Sequence, residues 1–475
     1  MTRAAVIDRH LIVLLVVIAG LLALAACKVG TREDSSAYDR PARSAPTARA
    51  ASRGADGKQP VAPRSTASAA STAPTPGAPA RRPQPALDRE PIVDVLLAEG
   101  PRVRFVLASA GEADCGGTRV RVPAGEVVAE AVGGRVRLAG GSAASIAITG
   151  AAGFSATLRP PFGAEQKLSF SGAPVLIADG RNVLLIERVA LERYLAGVLP
   201  VEMSPSYPLA ALEAQAVAAR SYACAKILDR FDQPWQLHWH FTVDMAYHGA
   251  AVKTSDNVRR ALADTRGVLL TYRRMPVPAL FYASSGGTTE SAGNVWPDLR
   301  FADGTPATAA MPVVADPACE GGARGLKLTG THWRWKANIT LADVGRGLQQ
   351  WSREKPGRPS FGTVDSVRVV DRAGDSKRVA HVAVRHRSGK KKPIETTITG
   401  HDFRMAVGPG VVRSTSWDRC VIAKDKGGIL VLEGRGFGHG VGLSQISAWQ
   451  MARSGSSSDA ILQRFYPGAV RDDRW

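Results

Sequence analysis

Between residues 91 and 187, apolar and polar positions alternate in short runs at 103–107, 118–122, 135–138 and 145–148, with glycine-rich turns between them. A period of two punctuated by glycine predicts strands, so this stretch reads as a small all-β region. It holds no cluster of His, Cys or carboxylate side chains and is read as scaffold. A further strand at 182–186 leads into a helix that carries Tyr194. From there the period changes. Leu212, Ala216, Ala219, Ala223 and Ile227 recur at spacings of three and four, which predicts a helix with one face of small apolar residues. Pro200 and Pro205 fall just before it. Because proline lacks the N–H that an interior turn needs, one helix is expected to stop before Pro200 and another to begin near Ser206, with Pro208 at a first helical position. Glu202 is left as a lone carboxylate in a short, pinned loop between the two.

Both periods continue downstream. A helix is expected at 254–263, a strand at 268–272, a turn at Arg273 and Arg274, and a strand from Pro278 into the Ser/Gly stretch F-Y-A-S-S-G-G-T-T-E-S at 281–291. Residues 316–324 read as an exposed loop, 333–339 as a strand and 341–351 as a helix. Strands at 366–370, 379–384 and 394–398 make a meander. Its second turn, Arg385 to Lys392, is strongly basic: either a solvated hairpin end or a contact for an anionic polymer. A strand at 429–433 enters G-R-G-F-G-H-G-V-G-L-S-Q at 434–445, and a helix leaves it with Ala448, Met451 and Ala452 on one face. The sum is an α+β fold, a mixed sheet-and-helix core over 181–475 preceded by the β-rich region at 91–180.

The N-terminus has a different character. Arg3 and Arg9 precede an uncharged run at 11–26 ending in small residues, the form of an export signal, and Leu24-Ala25-Ala26-Cys27 has the form of a bacterial lipobox. Cleavage before Cys27 leaves that cysteine to carry lipid, so residues 1–27 read as a lipoprotein signal and the mature chain as exported and membrane-anchored, in the periplasm or cell envelope. Residues 28–90 are Ala, Pro, Ser, Thr, Gly and Arg with few large apolar side chains, too few to offset the entropy of ordering. They read as a disordered tether, able to span on the order of 100 Å at about 3 Å per residue.

The formal charge of +19 on 475 residues implies an anionic partner or a basic composition spread over solvated faces, and the tether alone holds eleven basic against six acidic residues. Export argues against nucleic acid and leaves the anionic polymers of the envelope. Beyond Cys27 stand Cys115, Cys224, Cys319 and Cys420, spaced too widely for a zinc ribbon. Two disulfides, in any of three pairings, suit an oxidising compartment, while Cys224 beside the packed helix face equally reads as a buried small hydrophobe.

Several residues invite chemistry. His238, His240 and His248 place an H-x-H pair and a third imidazole close in sequence, a pattern that reads as a zinc site or as hydrogen-bonded surface histidines. Ser284 and Ser285 lack a G-x-S-x-G elbow and a nearby base, so they read as ligand contacts. The glycine run has no G-x-G-x-x-G in register and no G-K-[ST], which excludes a nucleotide loop. Its alternating glycines permit φ > 0 and close approach of backbone to a bulky ligand. His401 and Asp402 read as a helix cap, and Glu213 as a solvated helical residue.

V-L-P-V-E-M-S-P-S at 198–206 followed by L-E-A-Q-A-V-A-A-R-S-Y at 212–222 resembles the stage II sporulation protein D family, which includes cell-wall lytic transglycosylases and amidase enhancers. The stretches at 281–291, 397–417 and 434–445 extend the likeness toward the C-terminus. The resemblance implies a catalytic domain over 181–475 acting on peptidoglycan glycan strands without a cofactor. Glu202 matches the family's glutamate, which protonates the bridge oxygen between N-acetylmuramic acid and N-acetylglucosamine and then accepts the C6 hydroxyl proton as a 1,6-anhydro ring closes. Apolar neighbours, Val201, Met203 and the Ala-rich helix, are expected to raise its pKa. Arg220 and Tyr222 are read as positioning substrate. Ser284, Ser285, Gly286 and Gly287 are read as sugar contacts, with Tyr282 and Trp296 as stacking surfaces. Gly438, His439, Gly440, Ser444 and Gln445 line the same ligand. Some members have Cys and His ligands near the histidines; this stretch has no cysteine and places Tyr247-His248-Gly249 there. Partners are then glycan strands, a membrane through the lipid anchor and a cell-wall amidase. The alternative functions are a non-catalytic wall-binding protein that activates an amidase, and a secreted metalloenzyme.

Overall fold

A seven-stranded and a six-stranded sheet realise the alternation at 91–187. The computed structural model describes residues 86–160, 164–249, 252–301, 303–389, 391–423 and 428–475. The export segment, Cys27 and the tether up to residue 85 lie outside the described residues. The larger sheet runs Leu237–His238, Ile92–Gly100, Asn182–Ala190, Ala173–Asp179, Ser145–Thr149, Gly111–Asp114, Arg119–Val122. In the smaller, Arg102–Leu107 buries Val103, Phe105 and Leu107 and exposes the residues between, and these three share one core with Val93, Val95 and Ile146 of the larger sheet.

Eight helices of eight residues or more follow among the described residues: α1 (Leu191–Glu202), α2 (Leu209–Asp229), α3 (Asp256–Asp264), α4 (Ala318–Gly325), α5 (Leu341–Glu354), α6 (Gly400–Val407), α7 (Gln445–Arg453) and α8 (Ser458–Phe465). Asn182–Ala190 passes directly into α1. Contrary to expectation, α1 does not stop before Pro200. The proline removes one hydrogen bond in the last turn only, its ring is buried, and Met203 N–H closes the turn on the Leu199 carbonyl at 3.0 Å. Glu202 is therefore the last residue of a helix and not a loop residue.

Nor does α2 bury a single face. Fourteen of its residues are buried, with Ala219, Tyr222, Ala223, Cys224 and Ile227 in the first core. Leu212, Ala214, Ala216, Val217 and Ala218 lie in a second core with Val258 of α3, Val441, Leu443 and Ala448. Its small side chains let the helix thread between two cores, and a helix apolar all round is a buried one.

Residues 316–324 are not an exposed loop. Asp316 is 2% exposed and Cys319 fully buried, because α4 packs closely on α7: a Cβ on Gly322 would stand 2.3 Å from the Ile446 carbonyl oxygen. Farther on, Arg334–Thr340, Ile429–Arg435 and Ser416–Ala423 form an antiparallel sheet. The meander is Thr363–Arg372, Val379–Arg387 and Ile394–Thr399. With α5 and α6 these strands enclose a third core around Leu348, Phe403, Trp417 and Leu432.

Of the readings left open for the cysteines, the unpaired one is seen: Cys115, Cys224, Cys319 and Cys420 are free. Cys319 and Cys420 belong to different cores, and Cys224 fills space inside α2 as a small hydrophobe. Among the described residues no helix is long and apolar enough to cross a membrane.

Candidate functional site

Glu202 ends α1 with its carboxyl turned into protein. Loss of water is the main effect on it and raises its pKa from 4.5 to about 7. The negative end of the α1 dipole acts in the same direction. Two donors oppose this: Ala246 N–H bonds Oε1 at 2.6 Å, and the Gln445 amide lowers the pKa further. Gln445 Nε2 also donates to the main-chain carbonyl of Glu202 at 3.0 Å and lies 3.5 Å from Gln215 Oε1. Three remote segments thus meet at one carboxylate.

The segment bearing Ala246 is anchored on both sides. Asp244 accepts from the Tyr222 hydroxyl at 2.7 Å, Arg230 Nη1 at 3.0 Å and His238 N–H at 2.8 Å, while the Tyr247 hydroxyl donates to Glu187 at 2.7 Å. The segment bearing Gln445 is the glycine run. Gly438 has φ of +117°, and a Cβ there would stand 2.6 Å from that of Tyr282; at Gly442 it would stand 2.0 Å from the Leu280 carbonyl oxygen. Glycine alone lets the run lie across Phe281–Tyr282, which pairs in parallel with Leu443–Ser444 and so sets the start of α7.

His439, inside the run, uses both ring nitrogens. Val441 N–H donates to Nδ1 at 3.1 Å, so Nδ1 accepts and Nε2 carries the proton that it donates to the Phe281 carbonyl at 3.0 Å. Burial, reinforced by His401 and Arg404, pushes its pKa to about 3. It is a neutral ring held between Tyr282 and Trp296, at centroid distances of 5.2 and 5.1 Å, and not an acid or base at neutral pH.

Residues 179–272, which include α1, Glu202, α2 and Ala246, match the family model described as stage II sporulation protein. The chain carries a stage II sporulation protein D domain. Residues 324–442 match a domain of unknown function. An uncharacterized protein of Brachyspira hyodysenteriae is 28% identical over 305 residues, 63% of this chain and 72% of its own length. Stage II sporulation protein D of Bacillus amyloliquefaciens is 27% identical over 331 residues, 66% and 82%. The amidase enhancer of Bacillus subtilis is 27% identical over 303 residues, 58% of this chain and only 40% of that protein.

Within the stage II sporulation protein D domain, Arg220 and Tyr222 do not face a ligand. Arg220 is fully buried, with Nε and Nη2 each 2.8 Å from the Glu192 carboxylate and Nη1 3.2 Å from the Val268 carbonyl. Tyr222 donates its hydroxyl to Asp244, two residues before Ala246. The histidines are also tied locally. His240 N–H donates to His238 Nδ1 at 3.0 Å, and His240 Nδ1 shares a hydrogen bond with Thr242 at 2.8 Å. Burial lowers the pKa of all three, that of His240 to about 4. Among the described residues no three His, Cys, Asp or Glu side chains converge as a metal site.

Beyond that domain, Tyr282, Ser284, Ser285 and Ser444 lie beneath the surface. Ser284 donates to the His332 carbonyl at 2.6 Å and Ser285 to Asp316 Oδ2 at 2.6 Å. Ser447 donates to the same oxygen at 2.7 Å, and Ser444 shares a 2.7 Å bond with Ser447. These hydroxyls join the two loops instead of lining a cleft. Gly286 N–H reaches Cys319 Sγ at 3.3 Å, Gly287 lies against the Trp333 ring, and Gly440 lies over the Arg378 guanidinium. Partly exposed at the site are Glu202, Gln445, His439 and Trp296.

Sequence reasoning missed Asp316, which burial shifts toward the neutral form against its three serine donors. Its signal, an Asp-Pro before small residues, reads equally as a loop. Asp244 and Ala246 were missed too, since a main-chain donor leaves no mark in sequence. Thr399, not His401, caps α6: its hydroxyl accepts Asp402 N–H at 2.9 Å, while the His401 ring packs edge-on to Trp296 at 5.2 Å.

Proposed function

We propose that this chain is a peptidoglycan lytic transglycosylase of the cell envelope, cutting between N-acetylmuramic acid and N-acetylglucosamine with Glu202 as general acid and then base. The observation that carries this reading is one carboxyl with a pKa near 7 whose carboxylate neighbours among the described residues are already engaged. Asp244 and Glu187, the other carboxylates felt by the neighbouring Tyr194 hydroxyl, are committed to Arg230 with Tyr222 and to Tyr247. Hydrolases generally pair an acid with a second carboxylate that activates water or attacks the sugar. With one carboxyl, an internal nucleophile fits better.

In this mechanism Glu202 donates its proton to the bridge oxygen as the bond from that oxygen to muramic C1 breaks. The C6 oxygen bonds to C1, and its proton returns to Glu202. One strand leaves with a free N-acetylglucosamine hydroxyl and the other with a 1,6-anhydro end, so no water is consumed. Ala246 and Gln445 orient the carboxyl, and the exposed part of Trp296 offers a stacking face for a sugar ring. The names of the relatives, stage II sporulation protein D and amidase enhancer, support a wall-directed role. An export signal and lipid at Cys27 complete the proposal, the lipid holding the chain at a membrane within reach of the strands.

The likeness to an amidase enhancer favours a second reading, a wall-binding activator of an amidase that does not need Glu202. Mass spectrometry of glycan strands, intact and peptide-stripped, incubated with the chain and its Glu202→Gln variant separates the two. Anhydro ends from the parent, cut on the order of a hundredfold or more in the variant, are expected. Reducing ends would mean a hydrolase. No cleavage, with amidase stimulation equal in parent and variant, would establish the activator.

A further inference from the structure

An arginine at a hairpin turn ordinarily ends in solvent. Arg378, whose carbonyl closes the first turn of the meander by accepting Ala373 N–H at 2.8 Å, is only 1% exposed. Its guanidinium enters the bend of the Ser/Gly stretch at 281–291. That stretch is strapped to the glycine run at two places: Ser284 and Phe437 exchange main-chain hydrogen bonds of 2.9 and 2.8 Å, and Glu290 N–H donates to the Gly440 carbonyl at 2.7 Å. Between the straps Gly286 and Gly287, at φ of +71° and +110°, turn the chain back. Arg378 Nη2 donates there to the carbonyls of Ser285 and Thr288, at 2.5 and 3.1 Å. One nitrogen closes the bend. Ser376, on the same turn, donates to Glu290 Oε2 at 2.6 Å and so holds the second strap. The run itself rests on the guanidinium, for a Cβ on Gly440 would stand 2.8 Å from Arg378 Cζ.

Ion pairing does not account for this burial. Glu290, the carboxylate that Arg378 feels, is taken by Ser376, Ser291 N–H and Asn294, and Arg378 Nε and Nη1 have no acceptor among the described residues. A buried cation without a close counter-charge costs stability, so the side chain contributes position instead. From Gly440 the run continues into Leu443–Ser444, paired with Phe281–Tyr282, and then into Gln445, whose amide reaches Glu202.

We propose that Arg378 is a positioning residue for Glu202: it fixes the Ser/Gly stretch and the glycine run from beneath, so that Gln445 stands at the carboxyl. The segment that matches a domain of unknown function thereby supplies part of the site. Arg378 does not act by its charge, since burial, Ala246 and Gln445 set the proton affinity of Glu202 and no arginine acts on it. The other groups gathered there, Tyr194, Asp244 and Glu187, are held without Arg378.

The test is a carbon-13 titration of Glu202 in the side-chain-labelled full chain. Arg378→Met loses both carbonyl bonds and frees the run, which withdraws Gln445, a donor that favours the carboxylate. The Glu202 midpoint should rise by about half a unit or more, the direction expected of Gln445→Ala. In the double variant the rise should equal that of Gln445→Ala alone, because Arg378 acts through Gln445. Arg378→Lys keeps one donor for the carbonyls and should fall between the parent and Arg378→Met. A merely structural arginine would shift the thermal midpoint and leave Glu202 titrating as in the parent; that result overturns the proposal, as does a double-variant rise equal to the sum of the single ones. Should Arg378→Met fail to fold, Ser376→Ala removes only the hold on Glu290 and makes the same comparison, with a smaller rise expected and an unchanged midpoint contradicting it. The proposal rests on Glu202 as the working carboxyl, but its measurement needs no cleavage. An inactive chain with shifted midpoints would sink the lytic reading and keep the role of Arg378.

Discussion

Glu202 owes its character to what surrounds it. Its folded pKa of about 7 lies above the unfolded value near 4.5, so the native state holds the extra proton between those values. Stability from this group is complete below pH 4.5 and is lost as pH rises through 7, by at most about 3 kcal/mol at about 1.4 kcal/mol per unit. Glu202→Gln should therefore be no more stable than the parent at pH 4.5 and more stable at pH 8; denaturant unfolding at both values checks this. Gln445→Ala removes a donor that favours the carboxylate, so the Glu202 pKa should rise further, read as a higher pH midpoint for the protonated form. At Gly438, alanine meets both the positive φ and the Tyr282 Cβ. A loss of roughly 1–3 kcal/mol is expected, measured by thermal unfolding, with Gln445 drawn away from Glu202.

At the scale of elements, Arg220 ties the start of α1 to α2 and to Val268–Tyr272. Arg220→Met leaves the Glu192 carboxylate without its partner and should cost about 3–5 kcal/mol in chemical denaturation, whatever it does to activity. A variant that stays fully stable but loses glycan binding would return Arg220 to ligand contact. Much of this layer was legible in sequence. The meander, the strand into α1, α2 and the glycine run leading to α7 follow from period and turn residues, and Glu202 was singled out by its isolation between prolines. What stayed hidden depends on packing. Pro200 is tolerated because it falls in a last, buried turn, and 316–324 is helical because glycine and alanine let α4 approach α7. Glycine and alanine read as loop until the opposing surface is known. Likewise, Arg220, Ser284 and Ser285 carry groups suited to sugars, and only burial reveals that protein already satisfies them.

Across the whole molecule, three cores surround a site to which none of them alone supplies every part. The first core holds α1, the second buries the approach to α7, and the third sends Ile429–Arg435 into the glycine run. No disulfide joins the described cysteines, so a reductant should leave the midpoint of thermal unfolding unchanged; a drop of several degrees would reveal a bridge. The central claim is a carboxyl poised for proton transfer at neutral pH. A carbon-13 NMR titration of side-chain-labelled glutamate, with Glu202 assigned by its loss in Glu202→Gln, tests this without any substrate. A resonance titrating near pH 7 is the predicted result, and one titrating at 4.5 or below would contradict the assignment of Glu202 as the acid.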